Sequence, residues 1–152
     1  MFEIRKIAEH EYPSIQRLIH TTVKTCYPAI YPPEVIEFFI QHHSLEEISR
    51  RAISGVVLVL VSEGFILATG FLADGELGGV YVHPDYQRQG LGTLIVKRLL
   101  EIACREKLNS IWLDATPIAK PMYDKLGFEL ISNMVQYVGD VPLHYFKMEK
   151  IL

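Results

Sequence analysis

The residues that could do chemistry lie in one stretch, Val80-Tyr81-Val82-His83-Pro84-Asp85-Tyr86-Gln87-Arg88-Gln89-Gly90-Leu91-Gly92-Thr93. It reads as a strand, a tight loop and the opening of a helix. Gly90 and Gly92 remove side chains where the helix begins, so backbone N–H groups can approach an anion closely. The helix N-terminus adds partial positive charge, which makes a phosphate or pyrophosphate the natural guest. Arg88 can add a charge-assisted contact. Two glycines at this spacing also fit a plain strand-to-helix turn. A dinucleotide fingerprint would need a third glycine where Ile95 stands, and no G-x-x-x-x-G-K-[ST] loop occurs.

The elements that must position this loop follow from the hydrophobic period. Phe2 to Ile7 alternates as a short strand. Ile15, Leu18, Ile19, Thr22, Val23 and Cys26 recur at helical spacing, with Ser14 placed to cap that helix. The Tyr27-Pro28-Ala29-Ile30-Tyr31-Pro32-Pro33 segment stops it, and a second helix runs over Glu34–His42. Ser44-Leu45-Glu46-Glu47 fits a capping box that opens a third helix, ending near Gly55. Val56–Ser62, Phe65–Leu72 and Glu76–Val82 read as an antiparallel meander. Gly78-Gly79 inside the third of these strands predicts a bulge.

Leu91, Leu94, Ile95, Leu99, Ile102 and Ala103 then form an apolar helical stripe. A strand over Ser110–Ala115 and a short helix over Ile118–Leu126, closed by Gly127, come next. Phe128–Ile131, Val135–Val138 and Leu143–Met148 read as closing strands. The order predicts an α+β fold: a mixed, mostly antiparallel sheet flanked by helices.

Composition bounds the function. The chain has 152 residues, 49% apolar and 22% charged, with 15 Lys+Arg against 18 Asp+Glu and a formal charge of −3. That is ordinary usage for one domain, here residues 1–152, and it gives no basic footprint for nucleic acid. The longest apolar run, Val56–Val61, is far short of the ~20 residues that span a bilayer. No signal-peptide core precedes the first strand, so a cytoplasmic setting is expected, with Cys26 and Cys104 as two reduced, buried thiols. His42-His43, His10, His20 and His144 lack metal-ligand spacing and read as surface residues, so no metal is expected.

Two segments carry a resemblance to a known family. Gln87-Arg88-Gln89-Gly90-Leu91-Gly92 resembles the [QR]-x-x-G-x-[GA] pyrophosphate loop of the GNAT (Gcn5-related) N-acetyltransferase superfamily. Ala119-Lys120-Pro121-Met122-Tyr123-Asp124-Lys125-Leu126-Gly127-Phe128 resembles that superfamily's A-x-x-x-Y-x-K-x-G-F segment. With the strand between them the two cover about residues 76 to 131.

The resemblance implies a three-layer fold with a splayed fourth strand, acetyl-CoA as co-substrate, and direct acetyl transfer to a primary amine of a small molecule or peptide. Backbone groups of Val80, Tyr81 and Val82 would serve the pantetheine arm, with the Val82 N–H facing the oxyanion. Backbone N–H groups of Gln87, Arg88, Gln89, Gly90, Leu91, Gly92 and Thr93 would hold the pyrophosphate. Tyr123 would protonate the departing thiolate. Glu76 falls where a base acts through water, with Tyr81 and His83 as alternatives. Thr116 stands where the family often has Asn, which puts one contact to the pantetheine arm in doubt.

The resemblance places the acceptor pocket between the first two helices, where Tyr27, Tyr31, Phe38 and Phe39 read equally well as core. The apolar C-terminal strands could pair two copies. A non-catalytic acyl-CoA-binding module on the same fold is the alternative, and a phosphate-ligand domain unrelated to CoA a weaker one.

Overall fold

The computed structural model describes all 152 residues. Seven strands form one sheet: β1 (Glu3–Lys6), β2 (Gly55–Ser62), β3 (Phe65–Ala73), β4 (Glu76–Val82), β5 (Ser110–Ala115), β6 (Glu129–Val138) and β7 (Val141–Ile151). Their order across the sheet is β1-β2-β3-β4-β5-β7-β6, antiparallel except between β4 and β5. Five helices cover the faces: α1 (Tyr12–Cys26), α2 (Pro33–His42), α3 (Leu45–Ser54), α4 (Leu91–Arg105) and α5 (Lys120–Lys125). This is the mixed α+β architecture that the element order predicts, with the three layers that the resemblance implies.

Period-2 alternation along β2 explains the layering. Val56, Leu58 and Leu60 pack with Leu91, Ile95 and Leu99 of α4. Val59 packs on the opposite face with Ile15, Ile19 and Val23 of α1 and Ile48 of α3. Both faces of the strand are therefore dry, and each fully buried aliphatic side chain contributes about 1.5–3 kcal/mol by leaving water.

Several boundaries differ from the sequence reading. Helix α1 starts before Ser14. Glu11 ends a preceding 3-10 turn, and its carboxylate accepts the Ala8 N–H at 2.9 Å and takes the Arg5 guanidinium at 2.8 Å. Ser14 instead accepts from Arg17 at 3.1 Å on the surface. Ser44 does cap α3, accepting the Glu47 N–H at 3.2 Å. On α4 the stripe includes Val96, while Leu94 is exposed. Apart from Phe128, the runs Phe128–Ile131 and Val135–Val138 belong to one long strand, β6. Its register with β7 shifts between Leu130 and Ser132, which breaks the apparent period. Cys26 is only partly buried and Cys104 is exposed, so the expected pair of buried thiols does not occur.

Two features of the sheet create the site. Strands β4 and β5 pair only at Glu76 and Trp112 and then diverge, which opens a V in the middle of the sheet. The β4 backbone is also bulged. Thr69 pairs with Tyr81 and Phe71 with Gly78, so one residue of β3 faces two of β4. Gly79 carries the bulge at φ +59°, a left-handed conformation that costs any residue with a Cβ. The Phe71 ring fills the space that side chains at 78 and 79 would need, 2.9 and 2.8 Å from their Cβ positions.

Candidate active site

A cavity of about 190 Å³ passes through the V. One wall is the bulged β4, from Glu76 to Tyr81, and the opposite wall is the end of β5, Asp114 to Thr116. Tyr123 of α5 closes one side. Aromatic residues of the α1–α2 region, with Gln136, Leu143 and Tyr145 of the terminal hairpin, line the other.

Glu76 lies at the apex of the V, where β4 and β5 still touch. Its carboxyl is half-buried, with neither a salt bridge nor a side-chain hydrogen bond. Burial, and then the nearby Asp114 carboxylate, hold it above the ordinary Glu range, while Arg51 and Arg50 pull the other way. Asp114 is likewise raised by burial, with Lys147 and His42 opposing. Two carboxylates in one cavity oppose each other's ionisation, so one of them stays protonated to higher pH than an isolated group. Asp114 was not singled out by the sequence. On an alternating strand it looks like any solvated acid.

Tyr123 is 5% exposed, and its ring packs edge-on against Phe128 at 5.6 Å. Its hydroxyl lines the cavity and has no protein hydrogen-bond partner. Burial pushes the phenol well above its usual pKa, so it stays protonated at neutral pH. Pro121 lies in the first turn of α5, where a missing N–H costs nothing. The Thr116 hydroxyl accepts the Ala119 N–H at 3.3 Å at the entry to this helix, which leaves its own proton free to donate.

Val80 and Tyr81 line the cavity. Val82 pairs with Ala68, and the next N–H, of His83, donates to the Leu67 carbonyl at 2.8 Å. Antiparallel alternation therefore turns the Val82 N–H and C=O away from β3 and into the V. The carbonyl is taken by the Gln87 side-chain amide and, at 3.4 Å, by Thr22 Oγ1. Gln87 thus secures the end of β4 with its side chain and offers only its backbone to a ligand.

The loop from Gln87 to Gly90 is exposed and ends at the α4 N-terminus. Arg88 has φ +62° and Gly90 φ +79°. Left-handed residues alternating along a loop turn successive N–H groups toward a common point, an anion-binding concavity. The left-handed Arg88 is unreadable from sequence, since its side chain suggests nothing but charge. Gly92 faces Val80, Val82 and Met122, each 3.6 Å from where its Cβ would lie, so it sets how closely α4 approaches the bulged strand. Gly90→Val keeps open space around the side chain but forces a β-branched residue to positive φ. The expected result is roughly a 5- to 30-fold weaker CoA affinity by calorimetry, from a strain of about 1–2 kcal/mol, with Gly90→Asn near wild type.

The aromatic segment serves both readings left open by its sequence. Tyr27, Phe38 and Phe39 line the cavity, whereas Tyr31 packs behind them against Tyr27 and Phe39 at 5.5 Å. The surface reading of His42-His43 holds for His42 and fails for His43, which is 4% exposed and lines the cavity. His83 caps the turn after β4 by accepting the Asp85 N–H at 3.1 Å and lies outside the cavity wall. No group of three or more His, Cys, Asp and Glu side chains is arranged to hold a metal ion. No helix is long and apolar enough to cross a membrane.

A bulged strand splayed from its parallel neighbour, with a glycine loop opening a helix at its end, is the arrangement that the resemblance in the sequence implies. The sequence of residues 16–128 matches the model of the Acetyltransferase (GNAT) family, and the chain belongs to that family. It is 31% identical over 67 residues to the [ribosomal protein bS18]-alanine N-acetyltransferase of Escherichia coli K12, a match covering 42% of this chain and 45% of that enzyme. The chain thus spans less than half the length of this curated relative. The whole fold is similar to a GCN5-related N-acetyltransferase from Rhodopseudomonas palustris, with TM-score 0.88, 18% identity, and 99% and 95% of the two chains covered. It is also similar to PaiA N-acetyltransferase from Thermoplasma acidophilum, solved in complex with coenzyme A, with TM-score 0.82, 19% identity, and 100% and 99% covered.

Proposed function

We propose that this chain transfers an acetyl group from acetyl-CoA to a primary amine of a small molecule or peptide, by direct attack within a ternary complex. The observation that carries this reading is the single cavity through the V. It joins the bulged β4 backbone and Tyr123 on one side to Glu76 and the aromatic wall on the other. Donor and acceptor can then meet with no covalent relay, and no cysteine lines the wall. The loop N–H groups from Gln87 to Thr93, with Arg88, suit a pyrophosphate, and the free donor of Thr116 suits an amide of the pantetheine arm.

Bound acetyl-CoA supplies an activated thioester carbonyl. Each role then falls to a group of the chain. Glu76, through a water, takes the proton that the amine must lose to become nucleophilic. The Val82 N–H, fixed by the strand, donates to the carbonyl oxygen as negative charge develops there. Tyr123 donates to the sulfur as it departs. The same reading places the enzyme in the cytoplasm and allows two copies to pair along the β6 edge, where Leu130, Ile131, Val135 and Tyr137 are exposed.

The test is an amine panel with acetyl-CoA, scored by release of free thiol and including peptides that begin with alanine. Turnover of at least one primary amine is the expected result. Tight CoA binding without thiol release across the panel would overturn transfer and establish a non-catalytic acyl-CoA module. Absence of any thermal shift with CoA would remove both readings.

A further inference from the structure

Two wholly buried polar side chains, His43 and Arg51, and the Tyr81 hydroxyl have no part in the transfer steps. Arg51 is 3% exposed and has no carboxylate within salt-bridge distance. Its Nη1 lies 2.9 Å from Nδ1 of His43, and its Nη2 donates to the His42 carbonyl at 3.1 Å. Its guanidinium stacks 4.4 Å above the Phe71 ring, the same ring that seats the Gly78-Gly79 bulge. Nε2 of His43 lies 3.0 Å from the Tyr81 hydroxyl, and the His43 carbonyl meets Nε2 of His20 at 3.1 Å. Tyr81 is 8% exposed, and both Tyr81 and His43 line the acceptor side of the cavity.

These contacts have a fixed direction. A guanidinium can only donate, because it keeps its protons at every accessible pH. Nδ1 of His43 must therefore accept, so the ring is neutral with its proton on Nε2. An imidazolium would set two donors against each other at 2.9 Å. Burial and the adjacent Arg51 charge, which push His43 well below its usual pKa, agree with this. The Nε2–H then donates to the Tyr81 oxygen. The phenol proton then goes to the Tyr27 hydroxyl beside it, whose ring lies 6.3 Å from that of Tyr81 on the cavity wall, and it is the Tyr27 proton that no further protein group accepts. Each link polarises the next, and the permanent charge on Arg51 makes the terminal hydroxyl a stronger donor.

We propose that Arg51, His43, Tyr81 and Tyr27 form a one-way hydrogen-bond chain that presents the Tyr27 hydroxyl as a donor to the acceptor substrate, and that this substrate is an amine carrying a hydrogen-bond-accepting oxygen near its reactive nitrogen. Arg51, His43 and Tyr81 are positioning residues and Tyr27 determines specificity. The inference rests on the transfer reading above and deepens it. It also removes His43 and Tyr81 from the candidates for the base, since neither offers a free lone pair in the right direction.

The first measurement is the imidazole ¹⁵N NMR spectrum of His43 in the full chain at neutral pH. A neutral ring protonated at Nε2 is expected. An Nδ1–H tautomer or an imidazolium would overturn the chain whatever the enzyme's activity. The second is kinetic: the best acceptor from the amine panel is compared with its isostere in which the accepting oxygen is replaced by a methylene. Wild type should favour the oxygen-bearing amine roughly 10- to 100-fold in kcat/KM, because the isostere leaves a buried donor unpaired.

Tyr27→Phe preserves the ring packing on Tyr31 and Phe39 and should erase that preference while leaving the KM for acetyl-CoA unchanged. His43→Gln, whose amide can accept from Arg51 and donate to Tyr81, should retain the preference, whereas His43→Leu should lose it. A best acceptor without such an oxygen, or an equal loss on both substrates in Tyr27→Phe, would overturn the proposal. If wild type turns over no amine, the transfer reading fails and the role of Tyr27 with it. The direction of the chain is then still decided by the NMR spectrum.

Discussion

Tyr123→Phe is expected to lower kcat by about 10²-fold, at the low end of what a positioned acid contributes, while the affinity for CoA stays within about twofold of wild type. The affinity survives because the ring, 5% exposed and packed on Phe128, keeps its contacts. Only the hydroxyl, which no protein group satisfies, is lost. The low end of the range follows from the energetics of the proton. A departing thiolate has a conjugate-acid pKa of about 8.5, and the buried Tyr123 phenol is raised well above its own usual value.

Complete transfer from phenol to sulfur is therefore uphill. In the proposed mechanism Tyr123 helps by donating a hydrogen bond while charge accumulates, which is worth less than a matched acid. A thioester whose thiol is more acidic than that of CoA needs less help, so it should recover part of the lost rate in Tyr123→Phe. Pre-steady-state measurement of thiol release checks both effects. Unchanged kcat in the variant would reject the role.

Much of this site was legible because local rules govern it. The Gly78-Gly79 pair announces a bulge, since little else tolerates φ +59° on a strand pressed against Phe71. The helix after Gly90 is fixed by its apolar stripe and by a left-handed cap. What the chain conceals is long-range. His43 sits beside an exposed His42, and Arg51 follows Arg50, which pairs with Glu47 at 2.8 Å on the surface. In each couple one residue faces water and its neighbour points inward, and only the packing of α2 and α3 against the rest of the fold decides which. Asp114 and Tyr145 reach the cavity because β4 and β5 diverge, a consequence of a pairing limited to Glu76 and Trp112. No window of sequence contains both strands.

Glu76→Gln should separate activity from stability. In its proposed role as a base acting through water, Glu76 would contribute about 10²-fold, so the variant's kcat should fall by that order with little change in the affinity for CoA. Its stability should rise at neutral pH. The Glu76 carboxyl is raised in the folded state, first by burial and then by Asp114. A raised acid binds its proton more tightly folded than unfolded. Its ionisation therefore removes stability as pH climbs from the unfolded pKa through the folded one, and the loss is complete above that window. Glutamine has no charge to bury, so the melting temperature at pH 7 should exceed wild type.

Wild-type kcat should climb with pH along a limb set by Glu76, placed above the ordinary carboxylate range, and Glu76→Gln should lack it. Asp114→Asn supplies the sign control. Removing the like charge eases the ionisation of Glu76, so the limb should move to lower pH with the base still in place. A Glu76→Gln enzyme that keeps its rate and its limb would exclude Glu76 as the base. With His43 and Tyr81 committed as donors, the proton would then leave through solvent along the open side of the V.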